Sequence, residues 1–103
     1  MRKNYKLRFL PLFEIDLNDI IDYIVFELNN YDAAADLISE VERAIKRRLD
    51  FAESFEPYPS AKQREHPYYR IRIKNYTIFY IVIDDVMEIH RIIYDRRNLD
   101  ILL

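Results

Sequence analysis

Residues 68–94, YYRIRIKNYTIFYIVIDDVMEIHRIIY, decide the fold. They are dense in isoleucine, tyrosine, valine and phenylalanine, the residues that fit a pleated, half-buried surface. Two polar joints, one around Asn75 and one at Asp84-Asp85, divide them into runs 68–74, 76–83 and 86–94. Joints that short turn a strand back on its neighbour, so the stretch is predicted to form a three-stranded antiparallel meander. In the first run Arg70, Arg72 and Lys74 alternate with Tyr69, Ile71 and Ile73, and period-two geometry puts the three cations on one sheet face. The same period in the third run places His90 on a face with Glu88, Ile92 and Tyr94.

Upstream, residues 54–67, SFEPYPSAKQREHP, hold three of the four prolines and no sustained period, the mark of a connecting loop. Before it two helical stripes recur at spacings of three and four. Leu17, Ile20, Ile21, Ile24, Val25 and Leu28 predict a helix over 11–29, with Pro11 in its first turn and Asp16, Asp19 and Asp22 on its wet side. Ala34, Leu37, Ile38, Val41, Ile45 and Leu49 predict a second, capped by Asp32. Residues 5–9, YKLRF, alternate as a short strand. The plan is α+β, β-α-α-β-β-β, with a helical hairpin packed on one face of a four-stranded antiparallel sheet. Its expected core is Leu17, Ile21, Ile24, Leu37, Val41, Ile45, Ile71, Ile78, Tyr80, Ile89 and Ile93. At 103 residues, 50% hydrophobic and 33% charged, the chain is expected to fold as one domain over 1–103.

Absent residue types exclude chemistry. Without glycine there is no P-loop, dinucleotide fingerprint or G-x-S-x-G elbow, each of which needs a backbone approach that a Cβ obstructs. Without cysteine there is no disulfide, thiolate metal site or cysteine nucleophile, which suits a reducing compartment. His66 and His90 are isolated, and Ser39, Ser54 and Ser60 have no triad context, so neither a metal site nor a cofactor is expected. No uncharged run approaches the roughly 18–20 residues of a membrane span, and the expectation is a soluble, cytoplasmic protein with no membrane partner.

Charge supplies the functional signal. Residues 1–56 carry 8 positive and 12 negative side chains, and residues 57–103 carry 8 and 6, so a net charge of -2 conceals a basic C-terminal part. To the Arg70, Arg72 and Lys74 stripe are added Lys62 and Arg64 on the loop, and Arg91, Arg96 and Arg97 beyond it, interleaved with Tyr68, Tyr69, Tyr76, Tyr80 and Tyr94. Cations clamp phosphates and tyrosines stack on bases, a mixture suited to single-stranded RNA, although the solvent face of a half-buried strand is ordinarily charged as well.

The strings YKLRF, DLNDIIDYI, DAAADLISEVERAI, YYRIRIKNYTIFYIV and IHRIIYDRRNLDILL, in that order, resemble the RelE/ParE superfamily of bacterial type II toxins over nearly the whole chain. The ending is similar to the superfamily segment R-x-x-H-G-R-R-D: Arg91, Arg96 and Arg97 match it, and Tyr94, Asp95 and Asn98 depart from it. The resemblance implies a cytoplasmic growth inhibitor held inactive by a cognate antitoxin in a hetero-oligomer, with a disordered, acidic antitoxin tail folding across the helices and the basic sheet face. It also implies a choice of target. RelE-like members cut messenger RNA on the ribosome without a metal, whereas ParE-like members inhibit DNA gyrase. Carried over from the nuclease set, Arg70, Arg72 and Arg97 are the catalytic candidates, and Lys62, Arg64, Lys74, Arg91, Tyr94 and Arg96 would bind RNA or a partner. Thr77 stands where RelE-like enzymes have an arginine, and Leu103 near their terminal tyrosine. Cleavage through a ribose 2′-OH needs a proton acceptor, a donor and positive charge, and these two departures favour a ParE-like or non-canonical toxin, with the RelE-like nuclease as the alternative.

Overall fold

The computed structural model describes residues 4–59 and 64–95. Strand β1 is Lys6–Phe9, helix α1 Pro11–Asp22, helix α2 Tyr31–Leu49, and strands β2, β3 and β4 are Tyr69–Ile73, Tyr76–Ile83 and Val86–Tyr94. The meander forms where the pattern requires it. β2 pairs antiparallel with β3 through Ile71↔Ile78, and β3 with β4 through Ile83↔Val86 and Tyr76↔Tyr94. Both joints put their first residue in the left-handed region, Lys74 at φ 52° and Asp84 at φ 55°, which turns the backbone with the hand that a tight hairpin needs.

The sheet order is β1-β4-β3-β2, and β1 runs parallel to β4, Lys6↔Val86 to Phe9↔Ile89. This corrects the expectation of a wholly antiparallel sheet. Nothing in the sequence fixes the direction of β1, because both helices and two strands intervene before β4 and no tight turn joins the pair. Once β4 lies at the edge, β1 pairs along its first half, and the Leu10 N–H donates to the Ile89 carbonyl (3.0 Å) as the chain enters α1.

A second correction lies within β4. Arg91 is opposite Phe79 while Ile89 is opposite Tyr80, so His90 is an extra residue and the strand carries a β-bulge there. The slip exchanges the faces beyond it. Ile92 joins the core beneath the helices, and Ile93, expected there, pairs with Thr77 on the opposite face, where it is equally buried. Ile92 and Tyr94 therefore do not share a face with Glu88.

The first helix is also less regular than its stripe suggests. Five residues of π-helix, Tyr23–Glu27, follow α1, and the Leu28 N–H reaches the Tyr23 carbonyl (3.2 Å). Asn29 then takes φ 50°, a conformation that asparagine tolerates better than most residues. The cap of α2 is Asn30, whose side chain accepts from the Ala33 N–H (3.0 Å), so Asp32 is the second residue of the helix, in its first turn. α2 buries Ala34, Leu37, Val41, Ala44 and Ile45 against Ile71, Ile78, Tyr80, Met87 and Ile89. Of the expected core, Leu17 and Ile21 are only half-buried. No helix among the described residues is long and apolar enough to cross a membrane.

Candidate functional site

The sheet face turned away from the helices carries the cations of β2, with Arg70 opposite Phe79 and Arg72 opposite Thr77. It is not bare. The loop folds back over its middle, where Tyr58 and Tyr68 meet the buried ring of Phe79 edge-on at 5.1 and 6.0 Å, tied by a Tyr58 N–H to Tyr68 carbonyl bond. The Arg70 guanidinium lies 5.3 Å from the centre of the Tyr58 ring and that of Arg64 4.9 Å from Tyr68. Aromatic faces thus hold two of the cations in place by cation–π attraction.

Arg72 is held differently. Its Nη2 donates to Asp95 Oδ2 (3.1 Å), while the fully buried Thr77 donates its hydroxyl to Asp95 Oδ1 (2.6 Å) and the Asp95 N–H reaches the Asn75 carbonyl (2.9 Å). Thr77 and Asp95, two departures from the superfamily pattern, are therefore one polar cluster, and its carboxylate neutralises a candidate catalytic arginine.

Beside it runs a chain across three segments. Tyr68 Oη lies 2.9 Å from His90 Nδ1, His90 Nε2 lies 2.8 Å from Glu88 Oε1, and Arg8 Nη1 donates to Glu88 Oε2 (3.1 Å). A neutral imidazole satisfies both neighbours when Nε2–H donates to Glu88 and Nδ1 accepts from Tyr68. The bulge is what aims His90 into this chain. Burial pushes the Tyr68 hydroxyl above its ordinary range. Burial alone would also raise Glu88, but the hydrogen bonds from His90 and Arg8 outweigh it and hold that carboxyl below its usual value of 4.5. A carboxyl lowered on folding adds stability above its unfolded value, and that contribution is lost as pH falls through the folded value. Below about pH 4.5 the wild type should therefore lose stability more steeply than Glu88→Gln. Urea titrations of both proteins between pH 3 and 7 check this, and parallel slopes would refute it.

Arg91, opposite Phe79 in the register, is turned toward the helices. It makes a two-pronged pair with Asp16 on α1, at 2.7 Å from Nε and 2.9 Å from Nη2. Asp16 is thus no part of the wet side of its helix, although Asp19 and Asp22 are exposed. Tyr94 packs on Tyr76 at 5.7 Å and, with Asp16, Asp19 and Tyr23, lines a concavity of about 650 Å³ between α1 and the end of β4. Of the interleaved tyrosines, Tyr69 and Tyr80 are stacked in the core. The structure thus brings Arg64, Arg70 and Arg72 to one face, leaves Lys74 on the adjoining turn, commits Arg91 beside them to Asp16, and places Tyr94 with Tyr76 on the helix side. Lys62, Arg96 and Arg97 lie outside the described residues, as do Leu99, Ile101, Leu102 and Leu103. Asp16, Asp95 and Tyr58 escaped the sequence pattern because each acts across elements far apart in the chain. No group of three or more potential metal-binding side chains occurs among the described residues.

The model of the ParE toxin of type II toxin-antitoxin system, parDE, matches residues 7–99. The chain belongs to this family. A solved chain from the chromosomal ParDE TA system of P. aeruginosa superimposes with a TM-score of 0.72 at 18% identity, covering 88% of this chain and 96% of that one. At that identity the likeness shows a shared fold. No curated protein matches the chain. Membership identifies a ParE-like toxin, implies an antitoxin partner, and does not favour the RelE-like alternative.

Proposed function

We propose that this ParE-family chain arrests growth by binding DNA gyrase through protein contacts, and that it cuts no RNA. The observation that carries this reading is the Thr77–Asp95–Arg72 cluster. A phosphoryl-transfer site needs cations free to meet developing negative charge, and here Asp95 compensates Arg72 while a buried threonine stands where the nuclease pattern has arginine. Arg70 remains on the exposed face, and it would serve with Arg64, Lys74, Arg96 and Lys62 as a docking surface. Arg91 and Tyr94 would border that surface toward the end of β4. In the alternative, Arg70, Arg72 and Arg97 would be the catalytic cations.

For the antitoxin we propose the groove beside β1. Leu7 and Phe9 on the edge strand line it with Phe13, Val41 and Ile45, in a space of about 510 Å³. Lys6 and Leu10 donate their N–H groups to the Asp85 and Ile89 carbonyls, so those of Leu7 and Phe9 point outward and can pair with an added strand. A disordered antitoxin tail would fold on binding there. Inducing the chain alone in cells should change plasmid supercoiling and leave messenger RNA intact. Cleaved ribosome-bound RNA, abolished by Arg97→Ala, would overturn the proposal, and Thr77→Arg would then increase the cleavage.

A further inference from the structure

The helix that begins at Pro11 has two apolar faces, and the fold buries only one. Phe13, Leu17, Ile20 and Ile24 point toward the sheet. Away from that core Leu12 is 45% exposed, Ile15 55% and Phe26 70%, and Tyr23, 56% exposed, stands with Asp19 at the rim of the concavity beside β4. At about 100° per residue, Leu12, Ile15, Asp19, Asp22 and Tyr23 fall within an arc of about 100°, and the π-helical residues extend it to Phe26. Single exposed apolar residues are ordinary, but a row of four on one helix face is not. α2 supplies the contrast, since its outward positions include Asp36, Glu42, Arg43, Lys46 and Arg47.

We infer that this outer face of α1 and its π-helical extension is the surface that grips the toxin's target, and that it receives a helix carrying apolar residues on either side of a lysine or arginine. The inference rests on the reading that the chain acts by protein contact. Spacings of three and four along a rod of about 25 Å suit a packed helix. Charge selects which helix. Asp19 and Asp22 sit, exposed, in the middle of the row between its apolar ends. A second copy of the chain, packed about a two-fold axis, would pair Leu12 with Phe26 but bring Asp19 against Asp19, and like charges so placed destabilise. An acidic antitoxin tail would meet the same repulsion. A central basic residue turns both carboxylates to advantage and gives the association its specificity.

The test uses the full chain, induced with and without its antitoxin. Phe26→Ser and Asp19→Lys, both at exposed positions, should abolish growth arrest while preserving the circular dichroism spectrum, antitoxin co-purification and sedimentation of the parent, and Asp36→Asn on α2 should remain toxic. Binding of purified gyrase to either of the first two variants should weaken at least about tenfold, as loss of a central anchor does. Growth arrest that survives both substitutions would overturn the inference. So would loss of antitoxin co-purification, which would give the face to the antitoxin, or a parental dimer that the variants split, which would give it to a second copy. Supercoiling in the same cultures keeps the two readings apart: a parent that arrests growth with normal supercoiling, and loses toxicity with Phe26→Ser, retains the surface and rejects gyrase as the target.

Discussion

Asp16→Ala is expected to cost about 3 kcal/mol of folding stability, a large effect for one polar residue. The carboxylate and its partner Arg91 are nearly buried, with side chains 12% and 17% exposed, and they meet through two hydrogen bonds of 2.7 and 2.9 Å. Asp16 Oδ2 also accepts the Ile92 N–H (3.2 Å), closing the edge of β4 beyond the point where β1 stops. Removing the carboxylate leaves a desolvated cation without its strongest partner and takes the acceptor from a buried backbone donor. Hydrogen bonding to Asp16 holds Arg91 more firmly protonated than usual, against the opposing effect of burial. Asp16→Asn keeps an acceptor for Ile92 but loses the charge, and should fall between wild type and alanine. Urea unfolding of the three proteins checks the order, and a loss below about 1 kcal/mol for alanine would mean that this is an ordinary surface pair.

Ile78→Ala should cost about 2–5 kcal/mol through the cavity it leaves. Ile78 is fully buried on β3, one of the two inner strands, where it lies opposite Ile71 and Ile92 under α2. Neighbours fixed by two ladders cannot collapse into the space. Val41→Ala and Ile24→Ala remove less or sit nearer the rim, and should cost about 1–4 kcal/mol. Against a total of about 5–15 kcal/mol, the Ile78 variant could lose growth arrest by unfolding alone. Arg70→Ala provides the comparison: an exposed cation contributes little to stability, so any effect on growth arrest reports its function. Thermal unfolding, read beside growth arrest for both variants, separates the two causes.

The two helices, the meander and its strand boundaries 76–83 and 86–94 were legible because each rests on a local period and short joints. The alternation of Arg70 and Arg72 with Ile71 survives intact on β2 for the same reason. Periods fail where one residue is inserted. The bulge at His90 reverses the faces of Ile92 and Ile93, and the π-helical turn changes the phase of the first helix at Tyr23. Neither has a marker such as glycine or proline in its vicinity, since both arise from fitting one element against another.

Composition and period by themselves determined that this chain makes a helical hairpin and a meander, excluded glycine-dependent phosphate loops, and concentrated positive charge in the C-terminal part, because all of these follow from residue types and near-neighbour spacing. Tertiary structure alone decided that β1 lies parallel to β4, that Asp16 claims Arg91, that Asp95 joins Thr77 to Arg72, and that the loop returns to cover Phe79. Each of these pairs residues far apart in the chain, so its geometry exists only after the helices have docked and the strands have chosen their neighbours. The same difference separates a row of cations on a strand from a set of cations of which two face the surface over aromatic rings and two are matched by carboxylates.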